Sequence, residues 1–252
     1  MKTRLDKAMV EHGLAQSRER AQALIIAGRV LVEEQRVDKP GTAIAESANL
    51  RVLGEDLKYV GRGGLKLQRA MEFWGIEVDG LAAMDVGAST GGFTDCLLQR
   101  GARSVLAIDT GWGQIAEKLR TDARVTLMER TNARLLAPGS LAGRGIEFFA
   151  MDVSFIAATL VLPAVVGALG TAALPWAGEM VVLVKPQFEA GREHVGKGGI
   201  VRDEAARQAA IERVRQCAEG LGARGIEVID SPIRGMEGNH EYLLHGRFLK
   251  KV

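Results

Sequence analysis

From about residue 60 onward the chain repeats one pattern. A short apolar run is followed by a helix-length segment, then by another apolar run. The runs are LAAMDVG, SVLAIDT, VTLMER, IEFFAMDV, EMVVLVKP, IEVIDSP and EYLLHGRF. Helices are expected near residues 62–74, 92–100, 113–121, 155–170 and 203–222. Short apolar runs alternating with helices predict a doubly wound, mainly parallel sheet with both faces covered. The last two runs are joined by a loop without a helix, so they are expected to pair antiparallel.

This topology has a chemical consequence. Open α/β sheets bind ligands outside the carboxyl ends of their strands. Asp85, Asp109, Asp152 and Lys185 each end a predicted parallel strand, and Glu241 begins the last one. If that strand runs antiparallel, its start lies at the same edge. Ionisable residues far apart in sequence then meet in one crevice.

Residues 1 to about 54 break the pattern and predict a small α+β unit. Leu5, Ala8, Met9 and Leu14 form a helical stripe that Gly13 ends, and Ser17 is placed to cap a second helix, RERAQALIIAG. VLVEEQRV then reads as strand, turn and strand, and NLRVLG as a further weak strand. A linker-like stretch, GEDLKYVGRGG, divides the chain into domains of residues 1–58 and 59–252.

Composition removes several classes of protein. Of 252 residues, 47% are hydrophobic and 25% charged, which excludes a disordered or collagen-like chain. Lys+Arg 33 against Asp+Glu 31 leaves a net charge of +2, so any contact with nucleic acid must rest on local placement of bases. Cys96 and Cys217 fall in predicted helices, which favours reduced thiols and a cytoplasmic protein. The four histidines show no metal-ligand spacing, so no metal site is expected. The stretch between Asp152 and Glu179 carries no charge and has the length of a bilayer span. Pro163, Gly167, Gly170 and Pro175 interrupt it, and a crossover helix is needed there, so a buried helix is expected.

The sharpest local signal is Asp85-Val86-Gly87-Ala88-Ser89-Thr90-Gly91-Gly92-Phe93-Thr94. It follows a strand and opens a helix. Glycines there let the backbone turn tightly and approach a ligand at a helix N-terminus. The spacing is neither a dinucleotide fingerprint nor a phosphate-binding loop ending in G-K-[ST]. An aspartate just before the first glycine suits an ammonium or sulfonium better than a pyrophosphate. Asp109, at the end of the next strand, stands where a carboxylate accepts ribose hydroxyls. Together these point to S-adenosylmethionine.

The motifs GRGGLKL, DVGASTGGFT, AIDTGWGQ, MDVSFI, VVLVKPQFE and GNHEYLLH resemble the FtsJ/RrmJ-type ribose 2′-O-methyltransferase domain. The order Lys66, Asp152, Lys185, Glu241 is similar to that family's catalytic tetrad. RLDKAMVEHGLAQSRERAQALIIAGRVLV resembles the S4-type RNA-binding module. The two in this order, joined through KYVGRGGLKL, resemble the hemolysin-A-like (TlyA) rRNA 2′-O-methyltransferases.

The resemblance implies a Rossmann-like methyltransferase domain with a seven-stranded, mainly parallel sheet behind a small N-terminal S4-type domain. It implies S-adenosylmethionine as donor and a ribose 2′-hydroxyl of ribosomal RNA as acceptor, usually a cytidine. Cofactor contacts are expected from Asp85, Gly87, Ala88, Ser89, Thr90, Gly91, Gly92, Phe93, Thr94, Asp109 and Asp152. RNA contacts are expected from Arg4, Arg18, Arg20, Arg29 and Arg62, with ribosomal subunits as the partner and no membrane.

The chemistry suits these residue types. A ribose hydroxyl is hardly ionised at neutral pH, so a base must take its proton during attack on the methyl group. A lysine serves when it is neutral, a form that burial and a neighbouring cation favour. Lys185 is expected nearest the hydroxyl, with Asp152 and Lys66 holding and tuning it and Glu241 orienting Lys66 or the ribose. Three alternatives are a membrane-active hemolysin, a non-catalytic ribosome assembly factor, and a methyltransferase of small molecules or proteins.

Overall fold

Each of the two sequence patterns collects its own core. The structure, a computed structural model, describes residues 2–15, 17–53, 58–235 and 237–250. Its contacts separate into units Met1–Leu57 and Lys58–Val252. Residues 54–57, the first part of the expected linker, lie outside the described residues.

The first unit runs β1 (Lys2–Arg4), α1 (Leu5–Glu11), α2 (Arg18–Ile26), β2 (Val30–Val32), β3 (Gln35–Arg36), β4 (Ala43–Ala45) and β5 (Leu50–Val52). Leu5, Ala8 and Met9 of α1 meet Ala21, Leu24 and Ile25 of α2 in one core, the i, i+3, i+4 spacing of a helix with one buried face. Ser17 caps α2 by accepting from the Arg20 amide at 3.2 Å. β2 pairs antiparallel with β3 and β5. The strands β1 and β4, which pair antiparallel with each other, were not anticipated. Three residues such as Lys-Thr-Arg carry no readable period, and only the partner strand makes them extended.

The second unit contains α3 (Gly63–Trp74), β6 (Ala82–Val86), α4 (Gly92–Gln99), β7 (Ser104–Ile108), α5 (Glu117–Arg120), β8 (Val125–Met128), β9 (Phe148–Met151), α6 (Ala158–Leu169), β10 (Gly178–Val184), α7 (Pro186–Glu189), α8 (Glu204–Gly220), β11 (Arg224–Asp230) and β12 (Tyr242–Phe248). All seven expected strands join one sheet in the order β11-β12-β10-β9-β6-β7-β8. The five from β10 to β8 are mutually parallel, and β12 is antiparallel to both β10 and β11.

Alternate residues feed the two faces. Phe149, Met151, Met180 and Val182 pack beneath α6 and α8; Phe148, Ala150, Val181 and Leu183 pack with residues of α3 and α4. Each of these side chains except that of Ala150 contributes ~1.5–3 kcal/mol when fully buried.

The charge-free stretch becomes α6, a twelve-residue helix with Val161, Leu162 and Val165 buried. Among the described residues no helix is long and apolar enough to cross a membrane. Pro163 lies inside α6 and has no N–H for the Thr159 carbonyl. The Cys217 thiol reaches that carbonyl instead, at 3.7 Å. At the start of α6 the N-cap residue is an alanine, and the Glu189 carboxylate accepts from the Ala158 amide at 2.5 Å and the Thr159 hydroxyl at 2.9 Å.

One helix is much shorter than expected. Residues 113–121 yield only α5, Glu117–Arg120. Gly113 is left-handed (φ +70°) and donates its amide to Glu129, and the Ala116 amide goes to the Thr90 carbonyl. Residues 110–116 are thereby spent on the loop beside Asp109 instead of on a helix.

Candidate active site

Register brings the ionisable residues to one edge. Val184 of β10 faces Tyr242 of β12, so Lys185, just past one strand, and Glu241, just before the other, stand side by side at the same end. Asp152 follows β9, and its amide bonds the Val86 carbonyl at the end of β6. Lys66 comes from the first turns of α3.

These four form two ion pairs. Lys66 Nζ lies 2.5 Å from Glu241 Oε2, and Lys185 Nζ lies 2.6 Å from Asp152 Oδ1. Lys185 also donates to Ser154 Oγ at 2.6 Å. Lys66, Lys185 and Glu241 are 8%, 9% and 4% exposed. Charges this enclosed are tolerated only when paired. Both pairs line a single cavity of about 650 Å³, a size suited to a small-molecule ligand.

The glycine loop forms another wall. Gly87, Ala88, Ser89, Thr90, Gly92 and Phe93 line the cavity. Gly87 has φ +88°, and a Cβ there would stand 2.4 Å from the Asp152 carbonyl oxygen. No other residue brings the β6 loop so close to the end of β9. Gly91 has φ +96°, and its Cβ would strike Leu119 at 2.3 Å.

Four residues expected as cofactor contacts are not on the cavity wall: Asp85, Gly91, Thr94 and Asp109, of which only Asp109 lines a recess of its own. Asp85 is fully buried. Its Oδ2 accepts from the Thr94 amide at 2.9 Å and the Thr94 hydroxyl at 2.6 Å. These bonds tie the end of β6 to the first turn of α4, bracing the loop from behind. Asp85 Oδ1 is buried with no hydrogen bond. Burial pushes this carboxyl up to about 7 against the opposing pull of the Thr94 bonds.

Asp109 lines a second, smaller recess with Ala88, Ser89, Gln114, Ile115 and Leu127. It accepts from the Ser89 amide at 2.8 Å and the Gly111 amide at 2.6 Å. A carboxylate has about four acceptor positions, so capacity remains for sugar hydroxyls between apolar walls. Gln114, Ile115, Ser154, Phe155, Gln187 and Phe188 line the two spaces and were missed. The only available signal was their adjacency to Asp109, Asp152 and Lys185 in the motifs. Phe155 is 93% exposed and adopts φ +64°, a conformation rare for a bulky residue.

Of the arginines expected to meet RNA, Arg62 lines the cavity. Arg4 and Arg18 belong to the first unit and share the buried Asp6 carboxylate at 2.9 and 3.0 Å. Arg4 foremost, with Gln22 and Arg18, holds Asp6 below the usual carboxylate range. Arg29 donates to the Leu53 carbonyl at 2.8 Å. Arg20 is half-buried at the start of α2. Among the described residues, no cluster of three or more His, Cys, Asp or Glu is arranged to hold a metal ion.

Residues 59–248 match the FtsJ-like methyltransferase family, and residues 3–50 match the S4 domain. The chain is 47% identical over 246 residues to the "Putative rRNA methyltransferase YqxC" of Bacillus subtilis, covering 97% of this chain and 85% of that one. It is 43% identical over 244 residues to the 16S/23S rRNA (cytidine-2′-O)-methyltransferase TlyA of Mycobacterium tuberculosis, covering 96% and 89%. A solved structure, "Putative hemolysin from Streptococcus thermophilus", is similar with a TM-score of 0.72 and 41% identity over 98% of this chain and 89% of that one.

Proposed function

This chain belongs to the FtsJ-like methyltransferase family and carries an S4 domain ahead of it, and from that premise we propose how its residues share the work. It transfers a methyl group from S-adenosylmethionine to a ribose 2′-hydroxyl of ribosomal RNA, at a cytidine. The observation that carries the assignment of roles is the convergence of Lys66, Asp152, Lys185 and Glu241 on one cavity walled by the glycine loop.

S-adenosylmethionine supplies an electrophilic methyl carbon on a sulfonium leaving group. The cavity fits it: the loop from Gly87 to Phe93 offers a close-approaching backbone, and the recess at Asp109 offers a carboxylate between apolar walls. Asp85, Gly91 and Thr94 shape that loop from behind. The chain's own part is to position the hydroxyl in line with the methyl and to accept its proton. Asp152 and Ser154 aim the Lys185 side chain, which is placed to receive the hydroxyl proton as the oxygen–carbon bond forms and the carbon–sulfur bond breaks. Lys66, anchored by Glu241, holds the ribose from the other side. Positioning of this kind contributes as much as the base itself.

Residues 59–252 act as the catalytic domain and residues 1–58 as the RNA-binding domain. Arg4, Arg18, Arg20 and Arg29 serve the RNA in that first domain, and Arg62 guides it at the cavity mouth. The protein works in the cytoplasm and uses no metal; free Cys96 and Cys217 agree with a reducing compartment. Transfer of tritiated methyl onto purified ribosomal subunits, followed by mapping of the labelled ribose, tests this reading. Label on a base instead of a ribose, or none at all, refutes it.

A further inference from the structure

The helix that carries Lys66 and the strand that follows Glu241 meet along one seam. On α3, Lys66, Ala70 and Trp74 recur at i, i+4 and i+8, roughly one face of the helix. Glu241, Leu243 and His245 alternate on one side of the chain entering and forming β12. Lys66 pairs with Glu241 at one end. Leu67, Ala70 and Leu243 share the buried core between. Trp74 stacks on His245 at the other end, with centroids 5.0 Å apart and rings inclined by 25°. The lengths agree, since eight helical steps rise ~12 Å and four strand steps ~13 Å.

The far end is polar and tied to three strands. His245 Nε2 lies 2.6 Å from Glu179 Oε1 of β10. Arg247 Nε donates to the same oxygen at 2.8 Å. Trp74 Nε1 donates to Glu227 Oε2 of β11 at 3.1 Å, and Glu227 is the cross-strand neighbour of His245. His245 is 4% exposed, and its Nδ1 is buried without a hydrogen bond.

A buried imidazole with one nitrogen unsatisfied is a costlier filling than an apolar side chain. Its advantage is direction. Apolar burial is non-directional, whereas a ring stack and an N–H bond have geometric requirements that fix both height and rotation. We infer that Trp74 and His245 are positioning residues for the reaction, a polar lock at the far end of the α3–β12 seam that sets Lys66 against Glu241. The inference rests on the reading of that pair as part of the reacting centre. A misplacement of about one ångström costs ~100-fold in rate, so a lock remote from the chemistry controls it.

The test uses the full chain and purified ribosomal subunits. His245→Ala and Trp74→Ala are expected to lower kcat at least ten-fold and to move the pH profile of kcat. KM for the subunits and Kd for S-adenosylmethionine stay within two-fold. His245→Gln, whose amide keeps a donor toward Glu179, recovers most of the rate. Trp74→Phe keeps the ring and removes the bond to Glu227, and it carries the test if the alanine variants fail to fold. Wild-type kcat and pH profile in these variants overturn the inference. So does a loss of kcat, KM and Kd together that follows the folded fraction measured by circular dichroism. Lys66→Ala in the same series separates the two levels. If it keeps full turnover, the assignment of Lys66 fails; if it is inactive while the lock variants are normal, the lock alone fails.

Discussion

Lys66 and Glu241 stand 175 positions apart in the chain and 2.5 Å apart in the fold. Neither belongs to the parallel strand ends that shape the rest of the cavity. One arrives on the helix before the first strand of the sheet, the other at the mouth of its antiparallel strand. The pair therefore ties the two ends of the second unit together at the wall of the cavity.

Lys185→Ala is expected to abolish methyl transfer while cofactor binding survives. A general base contributes ~10²–10⁴-fold, and the glycine loop and Asp109 are untouched by the change. Turnover on ribosomal subunits, compared with calorimetric cofactor affinity, checks this. Normal turnover would refute the role given to Lys185.

Glu241→Gln leaves the Lys66 ammonium buried without its counter-charge. Removing one partner of a buried pair costs ~3–5 kcal/mol, so both stability and rate are expected to fall. Urea denaturation and single-turnover rates measure the two. Unchanged values of both would mean that the pair is idle.

Gly87→Ala places a methyl group against the Asp152 carbonyl in a backbone conformation that alanine rarely adopts. The loop must move away from the end of β9. Cofactor affinity should drop at least ten-fold, read by calorimetry, with little change in binding to ribosomal subunits. Wild-type cofactor affinity would show that the close approach is dispensable.

The Asp85 carboxyl gives stability a pH slope of unusual sign. Unfolded, it ionises in the ordinary range near 3.8; folded, burial holds it protonated up to about 7. Between those values the folded state binds more protons than the unfolded state. This group's contribution to stability therefore falls as pH rises from about 4 to 7 and is level above that. Urea denaturation across this range should show the slope in the wild type and its absence in Asp85→Asn. Identical slopes would exclude a protonated Asp85.

Asp6→Ala removes the buried carboxylate that Arg4 and Arg18 share. Hydrogen bonds to a charged group are worth ~1.5–3 kcal/mol, and the first unit should lose stability of that order. The guanidiniums also lose their fixed orientation, so affinity for ribosomal subunits should weaken and its salt dependence change. Calorimetric unfolding and salt-titrated binding test the two parts. Unaltered binding at every salt concentration would remove Arg4 and Arg18 from the RNA contacts.

Local and periodic features were legible before any coordinates. The seven strands, the antiparallel last pair and the edge shared by Asp152, Lys185 and Glu241 follow from apolar spacing and strand topology, and the Ser17 cap from the side chain at a helix start. The strands β1 and β4 and the loss of most of the 113–121 helix were not legible. In both cases a distant partner, whether a second strand or the amide-accepting Glu129, outweighed local preference.

By itself the sequence determined the fold class and which residue types could do chemistry, because hydrophobic period and turn chemistry act over a few neighbouring residues. Only the tertiary structure decided who pairs with whom: Lys66 with Glu241, Lys185 with Asp152 and Ser154, and Asp85 turned inward onto Thr94. Charges and hydrogen bonds select their partners over a few ångströms in space, and the packing of α3 against β12 sets those distances.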